Sequence, residues 1–376
     1  MKEKCCTLLT GELPEWQLTN EQRRCFGIAP VQVDWVCVNL PRSKYDSYDT
    51  TIWLEGDRVR YIVRHGDTQH IEHALDELLT PDHLYIVPKR STKPIRLSAA
   101  TICKRSPVGM SLCYVRFKSD GHGSVSVYNA ANMNYYSSVM AGDRIGDMAD
   151  FRRWCDWWCE NTKEADLAEA AAFAALKTRK VALKEGDVFR FRWTRGKWGY
   201  GRILLDYRLM RKQKIPFFDC LMGPPLAIEV FMIVTDTPAL TVDEVLSHDA
   251  MPAQNIMDNV LHFGEFEIIG HAPVPDDRDT RCPIMYGRSL DVRENRLMYQ
   301  QGRIFRELPG GKPLGGADFR NHGIGWGLDV TMPEVLACMA QGPACYWAQD
   351  KVSRRMNLQN PAHTELLKAV RKQMNV

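Results

Sequence analysis

Val188-Phe189-Arg190-Phe191-Arg192-Trp193-Thr194-Arg195-Gly196-Lys197-Trp198-Gly199-Tyr200-Gly201-Arg202-Ile203-Leu204-Leu205 is the stretch that decides the fold of the second half of this chain. Up to Trp193 it alternates. Phe189, Phe191 and Trp193 fall on one face and Val188, Arg190 and Arg192 on the other, the period of two expected of a strand with unlike faces. Arg195-Gly196-Lys197 supplies a turn, and residues 198–205 run back. The spacing predicts a tight hairpin with its rings on the core face and its cations toward water. Gly199 and Gly201 stand where a backbone or a bulky ring can approach closely. Further along, residues 227–234 read as a buried strand and 266–269 as a short one. Helices are expected over 333–339 and 361–373.

Upstream the texture is different. Residues 31–38 alternate, with Val31, Val33, Trp35 and Cys37 on one face. A hairpin is expected from 51–54 and 59–63 around Glu55-Gly56-Asp57. A helix is expected over 68–79, stopped by Pro81, with strands at 84–87, 112–118 and 124–128. Phe151, Trp154, Cys155 and Trp158 then fall at i, i+3, i+4 and i+7, one buried helical stripe behind an Asp150 cap. Asn161 with Glu164 opens a second helix through an alanine-rich run that closes on Lys177-Thr178-Arg179-Lys180, cations suited to the negative end of a helix dipole. The shift in composition here places a boundary. We read an α+β protein of two domains: residues 1–176, mixed α+β with much antiparallel sheet, and residues 177–376, β-rich with a twisted antiparallel sheet or small barrel.

The totals agree with two folded cores. The chain has 376 residues, 45% of them hydrophobic and 25% charged, with a formal net charge of +3. That composition excludes a disordered or fibrous chain. No apolar run approaches the roughly 20 residues that span a bilayer, and no secretory leader is visible, so the expected location is the cytoplasm with no membrane partner. The 12 cysteines are scattered. Only Cys155 and Cys159 have metal-like spacing, and no second pair complements them, so free thiols are expected, with no metal site and no cofactor.

Five segments in the second half resemble, in order, the immunity protein 26 family. They are Lys184-Glu185-Gly186-Asp187-Val188-Phe189, Gly199-Tyr200-Gly201-Arg202-Ile203, Gly264-Glu265-Phe266-Glu267-Ile268-Ile269-Gly270, Tyr299-Gln300-Gln301-Gly302-Arg303-Ile304 and Gly323-Ile324-Gly325-Trp326-Gly327-Leu328-Asp329. The resemblance begins near Lys180, and the preceding half is a departure from the family. It implies an intracellular, antitoxin-like binder in bacterial competition, made beside a secreted polymorphic toxin that it neutralises. It brings no catalytic set. Candidate partner-binding residues are Arg190, Arg192, Trp198, Tyr200 and Arg202 on the hairpin, and Asp276 and Asp277 in an acidic loop, since interface hot spots favour aromatic and Arg side chains and charge complementarity selects partners.

Two other readings compete. Arg64-His65-Gly66, after an apolar strand, resembles the box of histidine phosphatases, where the histidine is a phosphorylated nucleophile, with His122 as a second histidine. The surrounding hairpin pattern favours a strand end that happens to carry these residues. His70 and His73 read as the solvated face of a helix, because no His-Glu-x-x-His zinc motif is present. The basic stretch 190–214, with Trp193, Trp198 and Tyr200 interleaved, suits a nucleic-acid-binding regulator whose rings stack bases, although the alternation favours core rings and solvated cations. We expect a binding protein and no enzyme.

Overall fold

The computed structural model describes residues 13–42, 48–90, 93–117, 123–131, 134–139, 145–216, 225–289, 293–320 and 327–376. The chain divides into two compact units, Met1–Thr178 and Arg179–Val376.

The first unit is built on one antiparallel sheet. Its strands are β1 (Val36–Leu40), β2 (Asp49–Glu55), β3 (Arg58–Gly66), β4 (Gln69–Leu78), β7 (Val108–Arg116), β8 (Gly123–Asn129) and β9 (Asn134–Val139), hydrogen-bonded in that order. A two-stranded ribbon, β5 (Tyr85–Ile86) and β6 (Ile95–Arg96), lies in the connection from β4 to β7. One face of the sheet packs under the helices Asn20–Cys25, Met148–Glu160 and Glu164–Ala174, in a core that includes Trp53, Tyr61, Leu112, Tyr114, Phe151 and Trp158. Asp147 caps the middle helix by accepting from the Asp150 amide at 2.8 Å, and Phe151, Cys155 and Trp158 form its buried stripe. The Phe151 ring stacks on Tyr114 of the sheet at 4.8 Å. The opposite face carries a second apolar cluster with Ile52, Ile62, Leu75, Ile86 and Ile102.

Two sequence expectations are corrected here. Residues 68–79 are not a helix but the strand β4, and His70 and His73 are not solvated: the first is fully buried and the second nearly so. β4 pairs on both sides, with β3 and β7. A strand buried on both faces loses the apolar–polar alternation by which strands are read, and the buried His and Glu residues imitated a helix's polar side. Asn20–Cys25 is a helix with a full capping box, Thr19 and Gln22 bonding each other's backbone.

The second unit holds an open five-stranded antiparallel sheet. Its strands are β10 (Asp187–Thr194), β11 (Lys197–Asp206), β12 (Pro225–Val230), β13 (Gln254–Met257) and β14 (Phe266–His271), in the order β13-β12-β11-β10-β14. The sheet has two edges, so of the two expected forms it is the open antiparallel sheet and not the barrel. A three-stranded antiparallel sheet follows, β15 (Ile284–Arg288), β16 (Arg296–Gln301) and β17 (Ile304–Pro309), and packs with the helix Thr364–Met374 through Tyr286, Tyr299, Val370 and Met374. The helix Met332–Gln341 closes the core of the larger sheet with Val335 and Cys338. The whole is mixed α+β with antiparallel sheets.

The hairpin β10–β11 explains its own glycines. Phe189 pairs in register with Gly201 and Phe191 with Gly199. A Cβ on Gly201 would come within 2.5 Å of the Phe189 ring, and one on Gly199 as close to the Phe191 ring. The rings lie flat across the neighbouring strand because it offers no side chain there. Gly196, in the turn, has φ of +68°, the left-handed region where glycine carries no Cβ penalty.

Candidate partner-binding surface

The seven candidate residues fall into two groups. In β10 and β11, Val188 pairs with Arg202, Arg190 with Tyr200 and Arg192 with Trp198. Cross-strand partners point to the same side, so all five hairpin candidates share one face, opposite Phe189 and Phe191. That face is itself covered. Trp198, Tyr200 and Val188 pack with Phe231, Ile233 and Val245 in a separate apolar cluster. Tyr200 is fully buried, and its hydroxyl donates to the Thr237 carbonyl at 3.2 Å. Aromatic rings therefore lie on both faces of the hairpin, and Trp198 and Tyr200 offer no open ring face for a base to stack upon.

The cations on this face are held in place. The Arg192 guanidinium lies 4.3 Å from the Trp198 ring centre and that of Arg190 at 5.7 Å. Arg190 also donates to Glu267 of β14, at 2.8 and 3.0 Å, and to the Pro238 carbonyl at 2.6 Å. Lys197 pairs with Asp236. Arg208 pairs with Asp206 and Asp258. Much of the basic stretch is thus neutralised by its own fold.

Arg202 differs from its neighbours. It donates to Oε1 of Glu229 through Nε at 2.8 Å and Nη2 at 2.5 Å, and both side chains are almost wholly buried. Such a pair is costly to desolvate and is held by good geometry with added hydrogen bonds. Here the other carboxylate oxygen of Glu229 accepts from Arg281 at 3.4 Å, and Arg281 in turn donates to Asp277 at 2.8 Å. A chain of alternating charge runs from β11 and β12 to the exposed acidic loop.

The acidic loop is stitched from its other end as well. Arg278 donates to Glu185 at 2.7 Å, and Arg303 donates to Asp279 at 2.9 Å. Burial pushes the Asp279 carboxyl up, but hydrogen bonds from the Arg303 side chain and backbone outweigh it, and its pKa lies below the usual value. Asp276 and Asp277 remain exposed. Next to Arg281 a cavity of about 480 Å³ opens between Glu229, Asp249, Met232, Met251 and Trp347. It offers a partner an apolar wall beside a charged rim.

Glu229, Arg281, Asp249 and Trp347 were not among the sequence candidates. One signal was visible: a lone carboxylate in the apolar run Ala227-Ile228-Glu229-Val230 has to find a cation when buried. Nothing in the sequence marked Trp347. The last of the five family-like segments lies mostly at 321–326, outside the described residues.

The phosphatase reading fares poorly. Arg64 and His65 end β3 of an antiparallel sheet, not the first strand of a doubly wound one. As neighbours on a strand they face opposite sides, with Arg64 over the Tyr48 ring at 5.2 Å. His122 lies outside the described residues. The described cysteines are free thiols. Among the described residues no helix is long and apolar enough to cross a membrane.

No curated protein and no solved structure matches this chain. Residues 184–296, which contain the hairpin, Glu229 and the whole acidic loop, match the family model of Immunity protein 26.

Proposed function

We propose that this protein is an immunity factor that binds and neutralises a cognate toxin in the cytoplasm of the cell that makes it. The observation that carries this reading is the family match over residues 184–296, which spans all seven candidate residues. The binding surface we assign joins the half-buried Arg190 and Arg192 of β10, the exposed Asp276 and Asp277 of the loop, and the cavity beside Arg281, to which Trp347 adds a wall from outside the matched region. Charges of both signs around an apolar wall suit a protein partner, where the rim steers encounter and the buried centre supplies affinity. Trp198, Tyr200 and Arg202 act from beneath, by holding that surface in shape. Neutralisation follows by covering the toxin's active site or its substrate path.

The test is co-expression with the toxin encoded by a neighbouring gene, together with calorimetry on the purified pair. We expect protection and a tight complex. A toxin that kills equally in the presence of the protein, with no complex formed, overturns the reading.

A further inference from the structure

The cavity of about 480 Å³ beside Arg281 is walled by three pieces of chain, each held in place. The segment leaving β12 and the segment entering β13 run side by side. The Met232 amide donates to the Asp249 carbonyl at 2.8 Å, and the Met251 amide to the Val230 carbonyl at 2.7 Å. Pro343 and Trp347 form a second wall, with the indole set edge-on to the buried Tyr346 ring at 4.7 Å. Gln359 closes a further side. Its Nε2 donates to the Thr280, Arg281 and Cys282 carbonyls at 3.4, 3.3 and 3.2 Å, which ties this wall to the segment that carries Arg281.

The ionic groups on the wall are two carboxylates, Glu229 and Asp249, and one guanidinium, Arg281. Glu229 is satisfied from within the fold, since Oε1 accepts from Arg202 and Oε2 from Arg281. Arg281 is shared between Glu229 and Asp277. Asp249 is different. It is exposed, and its side chain has no hydrogen bond or ion pair among the described residues. Its backbone is fixed by Met232, so the carboxylate is held at the cavity with its charge unspent. Met232, Met251, Ala253, Pro343 and Trp347 make most of the remaining wall apolar.

An occupant matched to such a place has a long apolar stem and a cation at its end. Arginine suits it better than lysine, because guanidinium is weakly hydrated, meets a carboxylate through a planar fork and packs on an indole. The two methionines, unbranched and polarisable, adapt to the stem. An anion is disfavoured, since the charge of Arg281 is already met by two carboxylates. A wholly apolar side chain would leave Asp249 beside it without a counter-charge.

We propose that this cavity is the socket for one arginine side chain of the toxin, whose guanidinium pairs with Asp249 and packs on Trp347. The assignment rests on the immunity reading above. It adds that recognition extends past the family-matched residues 184–296 to Trp347.

N-acetyl-L-argininamide, titrated into the full chain at low salt, tests the socket without the toxin. Saturable binding is expected with a Kd on the order of 1 mM, ordinary for a ligand of this size. The Trp347 indole resonance, assigned through Trp347→Phe, should move in parallel. Asp249→Asn, an exposed change of the same shape, should weaken binding about tenfold by removing a charge-assisted contact. The citrulline analogue, which keeps the shape and lacks the charge, should not bind. With the toxin encoded by a neighbouring gene, Asp249→Asn should speed dissociation about tenfold and slow association less, as expected of a charge contact enclosed by the interface. The proposal is overturned if the citrulline or glutamate analogue binds as well as the arginine one, or if the arginine probe leaves Trp347 unmoved up to about 10 mM. Toxin complexes of wild type and Asp249→Asn that dissociate alike overturn it too, and leave the immunity reading intact. If no toxin complex forms while the arginine probe still binds wild type and not Asp249→Asn, the immunity reading falls and the preference of the socket for a guanidinium stands.

Discussion

Each unit buries a carboxylate on an inner strand of its main sheet, and the two are treated in opposite ways. Glu72 of β4 is sealed. It accepts from Arg23 at 3.0 Å, from the Tyr61 hydroxyl at 2.9 Å and from the Leu18 amide at 2.7 Å, besides its contact with His70. Two of these partners, Arg23 and Leu18, come from the chain before β1, so this one side chain ties the N-terminal segment and its short helix to the sheet. Glu229 of β12 is open on one side. Arg202 holds it from within, while Arg281 links it to a loop in water. The same residue type is a structural tie in one unit and the inner end of a surface device in the other. How far each charge network reaches toward solvent separates the two.

The sharpest way to break the comparison is to remove Glu72. Glu72→Leu leaves Arg23 buried without its counter-charge and Leu18 without an acceptor. Breaking a buried pair from one side typically costs about 3–5 kcal/mol, and we expect a loss of that size in the unfolding of the first unit. Chemical denaturation followed by domain-resolved hydrogen exchange measures it. We propose that the two units fold separately, and protection in the second unit should then stay at the wild-type level. An equal loss in both would show a single cooperative block.

Acid provides a second test, confined to the first unit. Burial, with the nearby Arg64 charge, lowers the pKa of His73 from 6.5 to about 4. The unfolded chain therefore takes up this proton first. The contribution to stability is complete above pH 6.5, falls as the pH drops toward 4, and changes no further below that. The span corresponds to about 3 kcal/mol. His73→Leu should flatten this part of the stability profile. Two neighbours add to the fall in the same direction. His65, also lowered by burial, contributes below pH 6.5, and Glu72, lowered from its ordinary value, contributes only at the acid end of the window. The part that His73→Leu removes is the His73 share. A wild-type profile that is level from pH 6.5 to 4 would contradict the assignment.

How much of this was legible in the sequence follows from the same physics. The hairpin β10–β11 was legible because its two faces differ, with rings at 189, 191 and 193 and cations between them. The helix at 148–160 was legible from its stripe. β4 was not, because burial on both faces removes the contrast on which periodicity depends. β15 to β17 went unread as strands since Arg296, Gln300, Gln301, Arg306 and Glu307 dilute the apolar pattern, and Gln300 and Gln301 are buried by bonding the Gly302 and Thr280 carbonyls. On the candidate surface, the sequence brought Arg190, Arg192, Trp198, Tyr200 and Arg202 together. It could not say that the second face of the hairpin is covered too, because the covering residues, Phe231, Ile233 and Val245, come from later in the chain.

A smaller effect tests the inner end of the open device. Glu229→Gln keeps the shape and one acceptor oxygen but removes the charge between Arg202 and Arg281. We expect a loss of about 1.5–3 kcal/mol, the range for hydrogen bonds to charged groups, read by denaturation of the second unit. It should be less than for Glu72→Leu, because Arg281 reaches water and can be solvated there. A larger loss than at Glu72 would mean that Glu229 is as sealed as its counterpart.

The smallest effect on stability is expected at the outer end, and it separates binding from folding. Asp276 is exposed and Arg192 lies at the hairpin edge over Trp198, so Arg192→Gln with Asp276→Asn removes rim charges without unsettling the core. Surface substitutions of this kind usually stay within about 0.5 kcal/mol of wild type, and the double variant should melt accordingly. Rim charges act mainly during encounter, so association with the toxin should slow a few-fold at low salt while dissociation changes little. The difference should shrink as added salt shortens the range of the field to about 3 Å near 1 M. Arg202→Gln makes the contrast, since it should lower the melting temperature whether or not a toxin is present. An association rate unaltered by the rim substitutions at low salt would move the interface away from this face of the second unit.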